Sequence, residues 1–201
     1  MLSTLFQSRK KTANTLGDAV EHASLNSSDK QILIDILCSA ASVMPFNRTE
    51  AEMVATYMQA RQYAEHETMM EQGAKAQTSY MLWVLDGEVT LEAVTPGTGE
   101  SVTIKVLGAG GTLGVMGLTD GAAPTLQGVA STPTRCALLG RLQLQKLCRE
   151  HPTVGVKLMS VLCLVLSSTL RDLTGKFKAH IRLNSVLNDE LRGRQSERPP
   201  R

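Results

Sequence analysis

The side chains of this sequence that could do chemistry are its cysteines and its histidines. They are Cys38, Cys136, Cys148 and Cys163, together with His22, His66, His151 and His180. No two cysteines are spaced as C-x-x-C, and no group of cysteine and histidine has the spacing of a zinc site. Scattered cysteines are typical of a cytoplasmic protein. We therefore predict four buried, reduced thiols and no metal site.

One pair among these side chains has the spacing of a single helical turn. Cys148 precedes His151 by three residues. A nucleophilic cysteine needs a base and a third group that orients the base, and the sequence supplies no such third group. We predict that the chain is not an enzyme, with a small cysteine or histidine enzyme as the alternative that mutation of this pair would test.

A glycine-rich run offers a second kind of chemistry, the binding of a dinucleotide. It reads Gly108-Ala-Gly-Gly-Thr-Leu-Gly114. The spacing does not match the fingerprint, because Leu113 stands where the third glycine belongs, and no amphipathic crossover helix follows. Turn glycines between the strands of a β-barrel are the better interpretation.

The composition is typical of a soluble globular chain, whose helices and strands must position these residues. The 201 residues are 42% hydrophobic and 20% charged, with a formal net charge of +2. This balance excludes global disorder and gives a weak electrostatic footprint for nucleic acid. The apolar stretches 32–44 and 154–166 are too short to span a bilayer, and the N-terminus lacks a secretory pattern. We expect a cytoplasmic protein without a membrane segment.

The hydrophobic period is helical near the start and strand-like in the middle. A helix is predicted over residues 29–42 with Ser28 as its cap, and a short second helix with Asn47 or Thr49 as its cap. Asp86-Gly87 predicts a tight turn, and the glycines of 96–99 predict a hairpin. Short strands are predicted over residues 62–63, 68–70, 81–85, 88–93, 102–107, 127–131 and 135–140, with a less regular stretch at 112–118. Such spacing predicts an antiparallel β-barrel or jelly roll.

After residue 140 the helical period returns. A short helix ends near His151, and a long helix is predicted over residues 153–190. Leu166, Leu170, Leu173 and Phe177 recur at alternating three- and four-residue steps, with His180 and Asn184 in the same line. Such a line fits a partner helix, so we predict a homodimer. The tail, 192–201, has four arginines and no apolar residue and is predicted to be disordered.

Three segments together resemble one protein family. Leu85-Asp-Gly-Glu-Val-Thr-Leu91 is similar to the strand-turn signature of cyclic nucleotide-binding domains. The run 106–118 is similar to the glycine-rich segment of that family, and 136–147 to its last strand and following helix. The resemblance covers about residues 44–190 and is nearest to the bacterial catabolite activator type.

This resemblance implies a fold and a division of the chain. The fold is mainly β, an antiparallel jelly roll (a double-stranded β-helix) with flanking helices and a long C-terminal dimerisation helix. The expected parts are an N-terminal helical extension, 1–44; the cyclic nucleotide-binding-like barrel, 45–152; the long helix, 153–191; and the tail, 192–201. The family's transcription factors carry a helix-turn-helix domain after the long helix. We expect none here, and hence no sequence-specific binding of DNA.

The resemblance also implies a ligand pocket built on a phosphate-binding cassette. In the family a glutamate contacts the ribose and an arginine neutralises the cyclic phosphate. The cassette positions are Gly114, Val115, Met116, Gly117, Leu118, Thr125 and Leu126, with Thr169 of the long helix near the base. Val115 stands at the glutamate position and Thr125 at the arginine position. No arginine or lysine lies between Lys105 and Arg135.

The function that follows is a regulatory or sensor protein that acts as a homodimer through protein contacts. We expect binding of cyclic AMP to be weakened or lost, no cofactor, and a degenerate cyclic-nucleotide or apolar-ligand pocket. Two alternatives stay open: a genuine receptor for a cyclic nucleotide or another small effector, and a structural dimer module without a ligand. Ser167, Ser168 and Thr169 have an alternative interpretation as ordinary helix residues.

Overall fold

Within the described residues, two helices precede the strands. The computed structural model describes residues 23–75, 79–95 and 97–196. Helix α1 (Ser27–Ser39) begins after Asn26, whose side chain accepts from the backbone N–H of Asp29. The predicted cap at Ser28 is therefore wrong by two residues, because Asn26 satisfies a free N–H group of the first turn. Helix α2 (Arg48–Thr56) begins at Asn47 as predicted, with a reciprocal capping box to Glu50.

Eight strands in the described part of the chain form two antiparallel sheets, which confirms the jelly-roll prediction. One sheet has the order β1-β8-β3-β6 and the other has the order β2-β7-β4-β5. The strands are β1 (Gln59–Tyr63), β2 (Thr68–Met70), β3 (Tyr80–Asp86), β4 (Val89–Val94), β5 (Ser101–Leu107), β6 (Thr112–Leu113), β7 (Gln127–Ala130) and β8 (Thr134–Gly140).

Strand β3 is buried on both of its faces. Side chains alternate across a strand, so Met81, Trp83 and Leu85 face the helices and join their core. Leu82 and Val84 face the opposite sheet and join a second core between the two sheets. This double burial explains why β3 is apolar almost throughout.

The turn at Asp86-Gly87 does not close a hairpin. Strand β3 pairs with β8 and β6, whereas β4 pairs with β5 and β7, so the turn carries the chain from one sheet to the other. Gly87 has φ of +91°, and a Cβ there would lie 2.6 Å from the carbonyl oxygen of Pro133. The tight-turn prediction holds, but the pairing implied by it is wrong. The predicted hairpin between β4 and β5 is confirmed.

Three further helices complete the described chain. They are α3 (Val115–Asp120), α4 (Arg141–Glu150) and α5 (Pro152–Ser196). Helix α5 continues past residue 191, so the predicted disorder of 192–201 is wrong for residues 192–196, and the remainder lies outside the described residues. Arginine and glutamine are good helix formers, so the polar composition of this segment does not end the helix.

The first half of α5 is part of the helical core. Val154, Leu158, Val161 and Leu162 are buried in this core, where α5 packs mainly against α4 and also contacts α2. The stretch Pro152–Ser185 is long and apolar enough, by length and composition alone, to cross a membrane. It is longer than the segment 154–166, so the length argument made from the sequence does not hold. Burial of its first turns in a protein core is one origin of such a composition.

Candidate ligand cavity

A cavity of about 490 Å³ lies where sheet β2-β7-β4-β5 meets α3 and α5. Its volume falls within the range of small-molecule pockets, about 300–1,000 Å³. Apolar side chains from both sheets and from α5 form most of its wall, among them Met70, Leu91, Leu107, Leu113, Leu164 and Val165. The cavity therefore suits a ligand with a large apolar part.

Helix α3 forms one wall of the cavity and begins at a glycine that no other residue can replace without strain. Gly114 has φ of +76°. A Cβ at this position would lie 2.6 Å from Cε of Met70 and 2.7 Å from the carbonyl oxygen of Tyr80. The chain thus requires glycine both for the left-handed conformation and for the close approach to β3.

The other end of α3 is held by an arginine from α4. Nη2 of Arg141 donates to the carbonyl oxygen of Gly117 at 2.7 Å, and Nε donates to that of Leu118 at 3.0 Å. Both carbonyl groups belong to the last turn of α3, where a helix runs short of its own donors. That of Gly117 also accepts from the backbone N–H of Gly121 at 2.9 Å. The guanidinium therefore satisfies the C-terminal end of the cassette helix and fixes its position.

Three charged side chains line the cavity among the described residues, and all three lie on β5 or α5. Nζ of Lys105 lies 3.0 Å from Oδ2 of Asp172. Nζ of Lys176 donates to the carbonyl oxygen of Ile104 at 2.6 Å. Both contacts join the edge strand β5 to the long helix, so the charged part of the wall lies where β5 meets α5.

A family model described as the cyclic nucleotide-binding domain matches residues 60–151 of the chain. This part of the chain belongs to the cyclic nucleotide-binding domain family. The match includes all eight strands except the first residue of β1, together with α3 and α4. The chain therefore carries a regulatory domain of the cyclic nucleotide-binding type.

Solved structures share the fold of the domain. A cyclic nucleotide-binding domain from Methylobacillus flagellatus is 26% identical, with a TM-score of 0.71 over 78% of this chain and 87% of that chain. The catabolite activator protein of Thermus thermophilus is 24% identical, with a TM-score of 0.57 over 72% of this chain. The present chain spans 62% of that Thermus protein.

A third structure is the regulatory subunit of a cAMP-independent protein kinase A from Trypanosoma brucei. It was solved as a triple mutant with cAMP bound, and the substitutions are glutamate to alanine, threonine to arginine and valine to alanine. It is 16% identical, with a TM-score of 0.53 over 70% of this chain and 47% of that chain. A comparison with curated protein sequences finds no match.

The domain brings seven of the eight predicted site residues to the cavity. These are Gly114, Val115, Met116, Gly117, Thr125, Leu126 and Thr169. Leu118 is the exception: it is 2% exposed and packs in the helical core, on the opposite side of α3. The hydroxyl of Thr169 donates to the carbonyl oxygen of Val165 at 3.0 Å, so its proton is already used within the helix.

The charged residues of the cavity were missed by sequence reasoning, although a signal for them exists. Thr169, Asp172 and Lys176 are separated by three and four residues, which places them on one face of α5. Lys105 and Leu107 are two residues apart along β5, so both project from the same side of the strand. Thr169 was predicted to lie at the pocket, and helical spacing from Thr169 therefore identifies two of the three charged residues, Asp172 and Lys176.

The cysteines and histidines of the described part of the chain occupy different settings. No group of three or more histidine, cysteine, aspartate or glutamate residues is placed to hold a metal ion there. The ring of His151 packs edge-on against Tyr57, with centroids 6.3 Å apart. Of the four thiols that were predicted to be buried, only Cys136 is buried; Cys148 is half-buried, and Cys38 and Cys163 are exposed, so the prediction is wrong for the last two and holds only in part for Cys148. Cys38 and Cys163 are exposed because they lie on the outward faces of α1 and α5.

The outer face of α5 carries the predicted seam. Leu170, Leu173 and Phe177 are 66%, 51% and 65% exposed, whereas Leu166 is partly buried against the helical core. The exposed thiol of Cys163 continues the same line one step toward the N-terminus. This is a contiguous apolar stripe, which single domains rarely leave in water.

Proposed function

We propose that this chain is a non-catalytic, homodimeric regulator whose cavity takes a small, mainly apolar effector and binds cyclic AMP weakly or not at all. The observation that carries the proposal is the chemistry of the cassette. Val115 and Thr125 line the cavity at the positions where the family resemblance implies a glutamate and an arginine. The proposed site of action is the cytoplasm, through contacts with a protein partner.

The size of the effect follows from the two missing contacts. Each charge-assisted hydrogen bond is worth roughly 1.5–3 kcal/mol, so the pair is worth about 3–6 kcal/mol. That difference is about a hundred- to ten-thousand-fold in affinity. A phosphate buried beside Val115, which is 6% exposed, also lacks a counter-charge on α3.

Calorimetry with cyclic AMP tests the proposal directly. The wild type should show no binding at micromolar ligand, whereas the double variant Val115→Glu, Thr125→Arg should bind. The matched control is Val115→Gln, Thr125→Gln, which supplies similar bulk without charge and should behave as the wild type. Micromolar binding of cyclic AMP by the wild type would contradict the proposal and support the alternative of a genuine cyclic-nucleotide receptor.

The second part of the proposal is that two copies pair along α5. Leaving an apolar side chain such as Leu170 or Phe177 in water forgoes roughly 1.5–3 kcal/mol, and both are about two-thirds exposed. Neither lines the cavity. Light scattering on a sizing column should therefore give a dimer for the wild type and a monomer for Leu170→Glu, Phe177→Glu.

Leu142→Glu is the matched control for the dimer, because Leu142 is 75% exposed but lies on α4. It should remain dimeric. A wild type that is monomeric at tens of micromolar contradicts this part of the proposal. A dimer that binds no small molecule in the cavity instead favours the structural-module alternative, which the exposed seam supports independently of any ligand.

A further inference from the structure

The charged side chains of the cavity leave one positive charge without a carboxylate. Lys105 and Lys176 contribute two positive charges and Asp172 contributes one negative charge, which leaves a net +1. Asp172 is paired with Lys105. Within the described residues, the contact of Lys176 is with a neutral carbonyl group, that of Ile104.

The Lys105–Asp172 pair is also easy to exchange. Its side chains are 43% and 50% exposed, so water and salt screen their attraction. Asp172 can be solvated when Lys105 turns toward a ligand. Both ammonium groups are therefore available to an anion that enters from the end of the cavity formed by β5 and α5.

We infer that the effector of this cavity is a small anionic amphiphile: an apolar body with one acidic group, bound by Nζ of Lys105 and Nζ of Lys176. This inference rests on the proposed function and names the chemical class of its ligand. The apolar body fills the wall formed by Leu91, Leu113 and Val165. The acidic group supplies the charge that the protein lacks, because a charge-assisted contact to an ammonium group is stronger than one to a neutral carbonyl.

The same geometry couples the ligand to the dimer seam. Lys105 lies on β5 and Lys176 lies on α5, one residue before Phe177 of the seam. One acidic group that contacts both ammonium groups joins the edge strand to the long helix through the ligand. Occupancy of the cavity therefore fixes the position of the helix on which the two copies pair.

Two fluorescent probes with the same rings separate charge from apolar fit. They are anilinonaphthalene sulfonate, which is anionic, and its uncharged parent phenylnaphthylamine. The wild type should bind the sulfonate at least about tenfold more tightly than the uncharged parent. Lys105→Gln and Lys176→Gln should each remove most of this preference without changing the affinity for the uncharged probe.

Three variants control for other effects of the substitutions. Lys176→Arg keeps the charge and should keep the preference. Lys178→Gln removes an exposed charge of the same helix that does not line the cavity, and it should change neither affinity. Asp172→Asn removes the competing carboxylate and should tighten binding of the sulfonate. Circular dichroism checks that each variant is folded.

A variant that fills the cavity, Leu126→Trp, locates the probes. One outcome is that Leu126→Trp weakens the binding of both probes, while the wild type binds the two probes equally well and the lysine variants have no effect. In that case the inference is wrong, while the proposed apolar cavity stands. If Leu126→Trp leaves both affinities unchanged, the probes bind elsewhere, and both the inference and the proposed ligand cavity are overturned. Loss of sulfonate binding in Leu126→Trp together with the lysine dependence supports the inference.

Discussion

Nη2 of Arg141 lies 2.7 Å from the carbonyl oxygen of Gly117, and this contact joins α4 to α3, the helix that forms one wall of the cavity. Gly121, directly after α3, has φ of +79°, and a Cβ there would lie 3.1 Å from Nη1 of the same arginine. The left-handed residue that ends the cassette helix thus also leaves room for the guanidinium. This packing holds the backbone of α3 and of the residue that follows it in place.

We predict that Arg141→Met destabilises the protein and loosens the cavity. The methionine keeps most of the apolar stem but removes the guanidinium donor to the carbonyl group of Leu118 and one of the two donors to that of Gly117, which also accepts from the backbone N–H of Gly121. Such a loss costs about 1–3 kcal/mol. Chemical denaturation should show this decrease, and hydrogen exchange should accelerate in α3 rather than across the whole domain.

Arg149→Met is the matched control, because Arg149 is an exposed arginine of the same helix. Its free energy of unfolding should change by less than about 0.5 kcal/mol. Equal effects of the two substitutions would show that the contacts to α3 are not what Arg141 contributes.

A second prediction concerns the ion pair that fastens α1 to the barrel. Asp29 is buried, and one of its carboxylate oxygens accepts from Nη1 of Arg135 on β8. Removal of one partner of a buried pair costs about 3–5 kcal/mol. Since Arg135 is one-third exposed, we expect Asp29→Asn to lower the free energy of unfolding by about 2–4 kcal/mol in urea titrations.

The same arginine provides an internal control for this pair. Nη2 of Arg135 also lies 3.2 Å from Oδ2 of Asp86, whose side chain is 64% exposed. Asp86→Asn removes a carboxylate from the same guanidinium in a solvated setting and should cost less than about 1 kcal/mol. If the two variants lose equal stability, burial does not determine the strength of this pair.

A third prediction is a pH dependence carried by Glu50. The Lys157 ammonium and the backbone N–H of Asn47 lower the pKa of the Glu50 carboxyl below its ordinary value of 4.5. The charged form therefore stabilises the folded state above pH 4.5, and this stabilisation is lost as the pH falls through the folded value. Nζ of Lys157 lies 2.7 Å from Oε2 of Glu50, so Lys157→Met should cost about 1–2 kcal/mol at neutral pH.

The difference between the wild type and Lys157→Met should shrink as the pH falls below 4.5. Lys146→Met is the control, because Lys146 forms a longer and more exposed pair of 3.9 Å with Glu150. It should have little effect at either pH. A difference for Lys157→Met that stays constant with pH would assign its effect to packing of the side chain rather than to the pair.

The barrel was predictable because its strands follow local rules. Strand β2 matches its predicted bounds, and β4 and β5 form the predicted hairpin, since period, turn residues and pairing all concern neighbours along the chain. The partner of β3 was not predictable in this way. Asp86-Gly87 specifies a reversal of the chain, but the choice between a hairpin and a change of sheet depends on which faces are buried elsewhere.

The cavity was predictable only in part, for a related reason. The cassette positions are contiguous in the sequence, so Val115 and Thr125 could be placed from the resemblance, and both line the cavity. Lys105 and Asp172 are 67 residues apart and meet only because α5 packs back over β5. A contact at this separation leaves no local pattern, although the helical spacing from Thr169 indicates which residues of α5 share the face.

The last prediction uses the cysteines to test how two copies pair. In a parallel two-fold pair of helices, each residue of the seam faces its own copy. Cys163 precedes Leu166 of the seam by three residues and is exposed. In such a pair, the Cα atoms of the two Cys163 residues lie within about 4.4–6.8 Å of each other, the separation that a disulfide requires. Mild oxidation with copper phenanthroline should therefore give a covalent dimer on a non-reducing gel.

The other thiols identify the residue responsible. Cys38 is also exposed but lies on α1, so Cys38→Ser should still form the covalent dimer, whereas Cys163→Ser should not. Burial raises the pKa of the Cys136 thiol to about 12, which keeps this thiol protonated and unreactive at neutral pH. The covalent dimer should also be lost in Leu170→Glu, Phe177→Glu. A covalent dimer that persists in Cys163→Ser, or that forms equally well without the seam, would show that the copies meet through another surface.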